Sequence, residues 1–180
     1  MRYVKYVLGI IALLVIGFFL LGLIKPQISY ECEVMVDKPI AECWAVSQDE
    51  EKMSDWIDGF QKIEHVGGTP GTIGAVSDVY FIADGQEMTI RETITDIVPD
   101  ESVSMSFTSD FMNMDYYLAM TPTDGKTKIS SSTTAVGRSM LSKSLMALMG
   151  SSIKAQEDTN LSNLKHTIEK NSKNYFPTAN

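Results

Sequence analysis

Cysteine, histidine and tryptophan are each present only twice in 180 residues. Each scarcity excludes something. Cys32 and Cys43 are too few for a disulfide framework, so the fold must be held by its core. Cys32 shares strand parity with Val34 and Val36, and Cys43 falls on a short helical stretch. Two buried free thiols are expected, with a bridge between them as the alternative. The two histidines, His65 and His166, lie far apart on different elements. No H-E-x-x-H or C-x-x-C spacing occurs, so neither a dedicated metal site nor a cofactor is expected. No G-x-S-x-G elbow for a nucleophilic serine occurs either.

Positive charge is also scarce. Fifteen Lys and Arg stand against twenty-three Asp and Glu, for a net charge of −8. Phosphate contacts need clustered basic residues, so no nucleic-acid partner is expected. The glycine-dense stretch over residues 67–74 contains no Lys or Arg. Its spacing fits neither phosphate-binding signature, which leaves a tight connection between strands. No internal repeat and no low-complexity tract is found.

What the chain has in quantity is apolar surface, 44% by residue. That is enough for a real core, and the length suits one domain plus an appendage. The appendage is explicit. Residues 7–24 run without a charge, Tyr3 and Tyr6 stand at one rim, and Lys25-Pro26 ends the run. Eighteen residues at about 1.5 Å each approach the ~30 Å hydrocarbon thickness, so the membrane is an expected partner through residues 7–24. The rival is a cleaved signal peptide. The run is longer than a usual signal core, and no small-residue cleavage site follows. Arg2 and Lys5 against Lys25 lean towards a cytoplasmic amino end with the domain on the extracytoplasmic side. The expected division is a membrane anchor over 1–26, a folded domain over 27–171 and a flexible tail over 172–180.

Within the domain, period-two alternation marks strands. Residues 28–37 place Tyr30, Cys32, Val34 and Val36 on one face. Pro39 suits the first turn of a helix to about Ser47, and Asp49 suits the cap of a second short helix ending at Trp56. Strands follow over 60–66, 75–83 and 87–98, the last two joined through Asp84-Gly85, a strong hairpin dipeptide. Val103, Met105 and Phe107 mark the next strand. Met112, Met114, Tyr116, Leu118 and Met120 mark one face of another, and a Ser/Thr-rich strand covers 126–134. Residues 141–170 form a long amphipathic helix. Its expected buried stripe runs through Leu141, Leu145, Leu148, Met149, Ile153, Leu161, Leu164 and Ile168. Gly150-Ser151-Ser152 is a candidate kink or break within it.

One ionisable residue stands out. Glu92 shares parity with Met88, Ile90 and Ile94, which puts a carboxylate on an apolar face. It is either a polar anchor or acid/base in a wet cavity, or it is turned outward or paired by a neighbour such as Arg91. The methionines and aromatics make a second candidate set, because methionine adapts to irregular apolar shapes. The expected ligand-binding residues are Trp56, Ile90, Glu92, Met105, Phe107, Met114, Tyr116, Leu118, Met149 and Ile153. No catalytic residue is assigned.

The order of elements and several local stretches resemble the SRPBCC superfamily (START/Bet v 1-like), in particular its polyketide cyclase/dehydrase-like branch. The stretches are residues 36–44, Met53-Ser54-Asp55-Trp56, Gly71-Thr72-Ile73-Gly74, Glu92 with Ile97-Val98-Pro99, and residues 161–169. The resemblance covers about residues 28–170. It implies an α+β helix-grip fold: a curved antiparallel sheet of about seven strands around the long C-terminal helix, here with one N-terminal transmembrane helix added. It also implies an apolar cavity and a hydrophobic small-molecule or lipid ligand. The resulting expectation is a membrane-anchored binding or transfer domain without a catalytic motif. The alternatives are a polyketide cyclase/dehydrase-like enzyme using a cavity carboxylate, with Glu92 and Tyr116 in acid/base roles, and a protein-interaction module.

Overall fold

The computed structural model describes residues 2–83 and 85–176. An apolar helix, α1 (Arg2–Ile24), leads into β1 (Gln27–Val36). Two short helices follow, α2 (Ile40–Ser47) and α3 (Met53–Trp56), joined through a 3-10 turn over Glu50–Lys52. Pro39 stands at the N-cap of α2. Asp49 caps the turn, its carboxylate accepting from the Glu51 N–H at 3.1 Å. Then come β2 (Phe60–Gly67), β3 (Val76–Ala83), β4 (Gln86–Val98), β5 (Ser102–Thr108), β6 (Met112–Thr123) and β7 (Lys126–Gly137), and the chain closes with α4 (Met140–Glu169). The hairpin between β3 and β4 falls at the expected dipeptide; Gly85 has φ +77° and Asp84 lies outside the described residues.

The seven strands form one antiparallel sheet in the order β1-β7-β6-β5-β4-β3-β2. The last six are a simple meander, and β1 is brought beside β7. A sheet this long must bury one face, and α4 covers part of it by packing along β1 and β7. This is the helix-grip α+β architecture. Both thiols are free and buried. The tightest core sits where the second half of α4 meets α2, β1 and β7: Val36, Cys43, Val46, Ile129, Leu164 and Ile168 are fully buried there. Two polar links fix that end. Glu169 accepts from the Asp37 N–H at 2.9 Å, and the Thr127 hydroxyl donates to the Lys38 carbonyl at 2.8 Å.

The long helix departs from expectation in two ways. It runs unbroken through Gly150-Ser151-Ser152. Gly150 instead permits a close pass over β1, since a Cβ there would stand 3.3 Å from Ile28 Cγ2. The expected apolar stripe also fails over the first half. Leu141, Leu148 and Met149 are 54%, 56% and 51% exposed, while Ser142, Ser144 and Met146 are buried. The cause is α1, which packs against this half of α4. A Cβ on Gly22 would lie 2.5 Å from Ser144 Oγ and 2.7 Å from its backbone nitrogen. Backbones approach that closely only where both helices present small residues, so the serine side turns to α1 and the larger side chains turn away. Ser139 and Ser142 cap the same end reciprocally.

The chain beyond α4 does not hang free at first. Lys173 Nζ reaches Asp49 Oδ2 at 2.7 Å, and the Tyr175 hydroxyl donates to the same oxygen at 2.6 Å. Burial pulls the Asp49 carboxyl up, but bonds from Lys173 and Tyr175 outweigh it and hold it below the usual range. Of the expected flexible tail, residues 172–176 thus run against the domain, and 177–180 lie outside the described residues.

Candidate functional site

Strand register assembles the α4-facing side of the sheet into transverse rows. One row runs His65, Ser77, Glu92, Phe107, Met114 and Ala135; the next runs Ile94, Met105, Tyr116, Thr133 and Tyr30. Ile90 lies one step further along β4, opposite Val79, and Leu118 one step along β6, opposite Val103. Period-two pleating therefore gathers seven of the ten expected residues on a single face. Leu118 is buried, while Ile90, Glu92, Met105, Phe107, Met114 and Tyr116 are half-buried. Phe107 and Tyr116 meet edge to face at 6.3 Å. Trp56, at the end of α3, packs against the core, and its indole N–H is buried with no hydrogen-bond partner among the described residues. Ile153 is half-buried on α4, and Met149 is exposed there, apart from this group.

Glu92 makes no hydrogen bond or ion pair among the described residues. Arg91, the candidate partner on the same strand, points to the other face, where its guanidinium grips Asp78 with two bonds of 2.9 Å. Burial pushes the Glu92 carboxyl up to about 7; His65 pulls it down and Glu50 pushes it further up. His65 is a neighbour that sequence spacing did not single out. Its Nδ1 lies 2.9 Å from Ser77 Oγ and its Nε2 2.8 Å from Glu50 Oε1. Glu50, His65, Ser77 and Glu92 thus form one line of polar groups at the β2–β4 side of an otherwise apolar face. Parity with Ile63 was available to place His65 there. Nothing in the sequence pairs it with Glu50, which comes from the turn before α3.

A second polar group lies under α4. The Tyr116 hydroxyl donates to Glu157 Oε1 at 2.9 Å. Burial and the Glu157 carboxylate drive the Tyr116 hydroxyl well above its ordinary pKa, and burial raises Tyr30 as well. The hydroxyls of Ser131 and Thr133 are buried beside these tyrosines without a short hydrogen bond among the described residues. Cys32 lies next to Lys154 and Asp158; burial, then Asp158, lifts its thiol to about 11, which makes it an inert thiol at neutral pH. Tyr116 and Glu92 do not meet. They lie on β6 and β4 with Met105 and Phe107 of β5 between them.

Two open grooves are found elsewhere. One of about 500 Å³ is lined by Lys52, Asp55, Asn163, His166 and Lys170; another of about 740 Å³ by Glu31, Cys32, Lys128, Ser131, Lys154 and Asp158. Both have mixed polar linings and include none of the ten expected residues. Among the described residues, no group of three His, Cys, Asp or Glu side chains is placed to hold a metal ion.

An open antiparallel sheet gripped by one long helix defines the helix-grip class. The chain belongs to the polyketide cyclase / dehydrase and lipid transport family, whose sequence model matches residues 27–169. No curated protein sequence matches the chain. Among solved structures, the Zhui aromatase/cyclase from Streptomyces sp. R1128 is similar at TM-score 0.68 and 16% identity, over 80% of this chain and 94% of that one. Ara h 8.0201 aligns at TM-score 0.65 and 19% identity, over 81% and 99%. The di-domain aromatase/cyclase BexL of the BE-7585A biosynthetic pathway aligns at TM-score 0.65 and 14% identity, over 82% and 52%. At these identities the likeness is one of fold.

Proposed function

We propose that the chain is a membrane-anchored helix-grip domain that binds a hydrophobic small molecule or lipid on the α4-facing side of β3–β6. The observation that carries this reading is the half-buried face of Ile90, Met105, Phe107, Met114 and Tyr116, beside which α4 packs along β1 and β7. Adaptable methionines and aromatic rings suit an apolar ligand of irregular shape. Glu92 and the buried Trp56 N–H, which has no partner among the described residues, supply a few polar groups to orient it. The family description, which names both cyclase/dehydrase chemistry and lipid transport, supports the same ligand class. The anchor rests on α1, whose most apolar 18-residue window has a mean hydropathy of 3.1. With Arg2 and Lys5 held at the cytoplasmic side, the domain lies on the extracytoplasmic side.

The test is native mass spectrometry and solvent extraction of the full chain purified in nanodiscs of one synthetic lipid. A recurrent apolar molecule other than the disc lipid is expected on the wild type, reduced at least tenfold by Met114→Trp. An empty protein that also takes up no apolar fluorescent probe overturns the reading and moves the weight to a partner-binding role.

A catalytic version is favoured by one observation, the Glu92 carboxyl near 7 in line with His65 and Ser77. A group poised at that pKa can exchange a proton with a bound ligand. Under this version the extracted ligand differs between wild type and Glu92→Gln at equal occupancy. The same molecule from both proteins rejects it.

A further inference from the structure

We infer that the first half of α4 and the loop between β5 and β6 lie against the bilayer surface, so that the domain is seated on lipid rather than tethered above it. The inference rests on the anchor reading of α1. Its starting point is the depth at which α1 meets α4. Gly22 is two residues from the end of α1, about 3 Å of helix rise. A span of 22 residues covers about 33 Å against a hydrocarbon layer of ~30 Å, so Gly22 falls at the edge of the apolar layer. Ser144 is in direct contact with Gly22. The turns of α4 around Ser144 are therefore at headgroup level.

Those turns carry four of the large apolar side chains that the domain leaves uncovered. Met140 and Leu141 precede Ser144, and Leu148 and Met149 follow it; their exposures range from 37% to 56%. A fifth, Phe111, is 43% exposed at the tip of the β5–β6 loop. Its carbonyl accepts from the Arg138 N–H at 3.0 Å, which places that tip beside the start of α4. Strand register agrees. Gln27 pairs with Val136, Val136 with Asn113, and Asn113 with Thr108, so the start of β1, the end of β7 and the β5–β6 loop share one end of the sheet. That end is the one where α1 enters.

The charges fit the same occupant. In a chain of net charge −8, Lys25 before β1, Arg138 after β7 and Lys143 in the first turn of α4 all fall at this end, with Asp110 the acid of the β5–β6 loop. Apolar side chains entering the acyl boundary, ringed by basic groups at phosphate level, are what an interfacial helix presents to lipid. Isolated exposed side chains need no explanation, but these are continuous with a helix that itself requires lipid. A bilayer is therefore favoured over a protein partner.

The experiment uses the full chain in nanodiscs, labelled at the methionine methyl groups, with a fraction of the lipid carrying a spin label high on its acyl chain. Met140 and Met149 are expected to lose at least half of their signal. Met35, 39% exposed at the other end of β1 and about 26 Å from Gln27, is the internal control and keeps its signal. Equal effects on Met149 and Met35 overturn the seating. Alkaline carbonate extraction of the same chain from vesicles separates the two claims. A chain that stays with the vesicles while Met140 and Met149 are unaffected keeps the anchor and loses the seating, and a chain that leaves them loses both. Leu148→Glu with Met149→Glu, which leaves α1 intact, is expected to abolish the spin-label effect at Met140.

Discussion

Glu92 holds a carboxyl between Ser77 and Phe107 on the sheet, with no bonded partner among the described residues, and its chemistry follows from that placement. Its folded-state pKa of about 7 lies above the ~4.3 of a free glutamate. The folded chain therefore binds more protons than the unfolded chain between those values. The contribution of Glu92 to stability is fully present below about pH 4 and is lost as pH rises through 7. Melting the wild type and Glu92→Gln from pH 5 to 8.5 is expected to show the wild type falling behind by roughly 2–4 kcal/mol, at ~1.4 kcal/mol per pKa unit. Parallel profiles contradict the burial of the carboxyl. Tyr116 has a different role. Tyr116→Phe leaves Glu157 without its donor and is expected to cost about 1–3 kcal/mol in denaturant titration. No loss at all would mean that the bond is not formed in solution. Parity alone put Glu92 and Tyr116 on the correct face. Glu157, which accepts from Tyr116, and the Glu50–His65 pair near Glu92 were not legible, because Glu157 and Glu50 come from elements whose approach depends on tertiary packing.

Among the elements, the strands were readable and one helix face was not. The Tyr30–Val36 and Met112–Met120 alternations survive as inner faces because a sheet with one covered side enforces period two. The α4 stripe was expected from hydrophobic spacing. Spacing records which side is apolar, not which neighbour claims it. A second helix that needs a close approach took the serine side instead, through Gly22 and Ser144. Gly22→Leu is therefore expected to destabilise the full chain by about 1–3 kcal/mol, the usual range for overpacking a tight contact. Gly17→Leu is the matched control, since nothing stands within 4 Å of a Cβ at Gly17. Tryptophan fluorescence melts in nanodiscs compare the two. Equal melting temperatures would show that α1 does not dock on α4.

At the scale of the whole molecule, the sheet and α4 build a half-open apolar face, and the proposed function has α1 bring that face to a membrane. The fold was legible because element order and local stretches over residues 28–170 carry it, and the family match over 27–169 agrees. The ligand was not legible, because methionine and aromatic side chains specify apolar shape and not a particular molecule. The central claim is that the face of Met105 and Met114 takes up an apolar molecule. Its most direct measurement is a titration of the methionine methyl spectrum of the full chain in nanodiscs with 1-aminoanthracene. Saturable shifts at Met105 and Met114, with Met35 still and the response removed by Met114→Trp, are the expected result. Shifts that grow without saturation, or that fall equally on Met35, would contradict it.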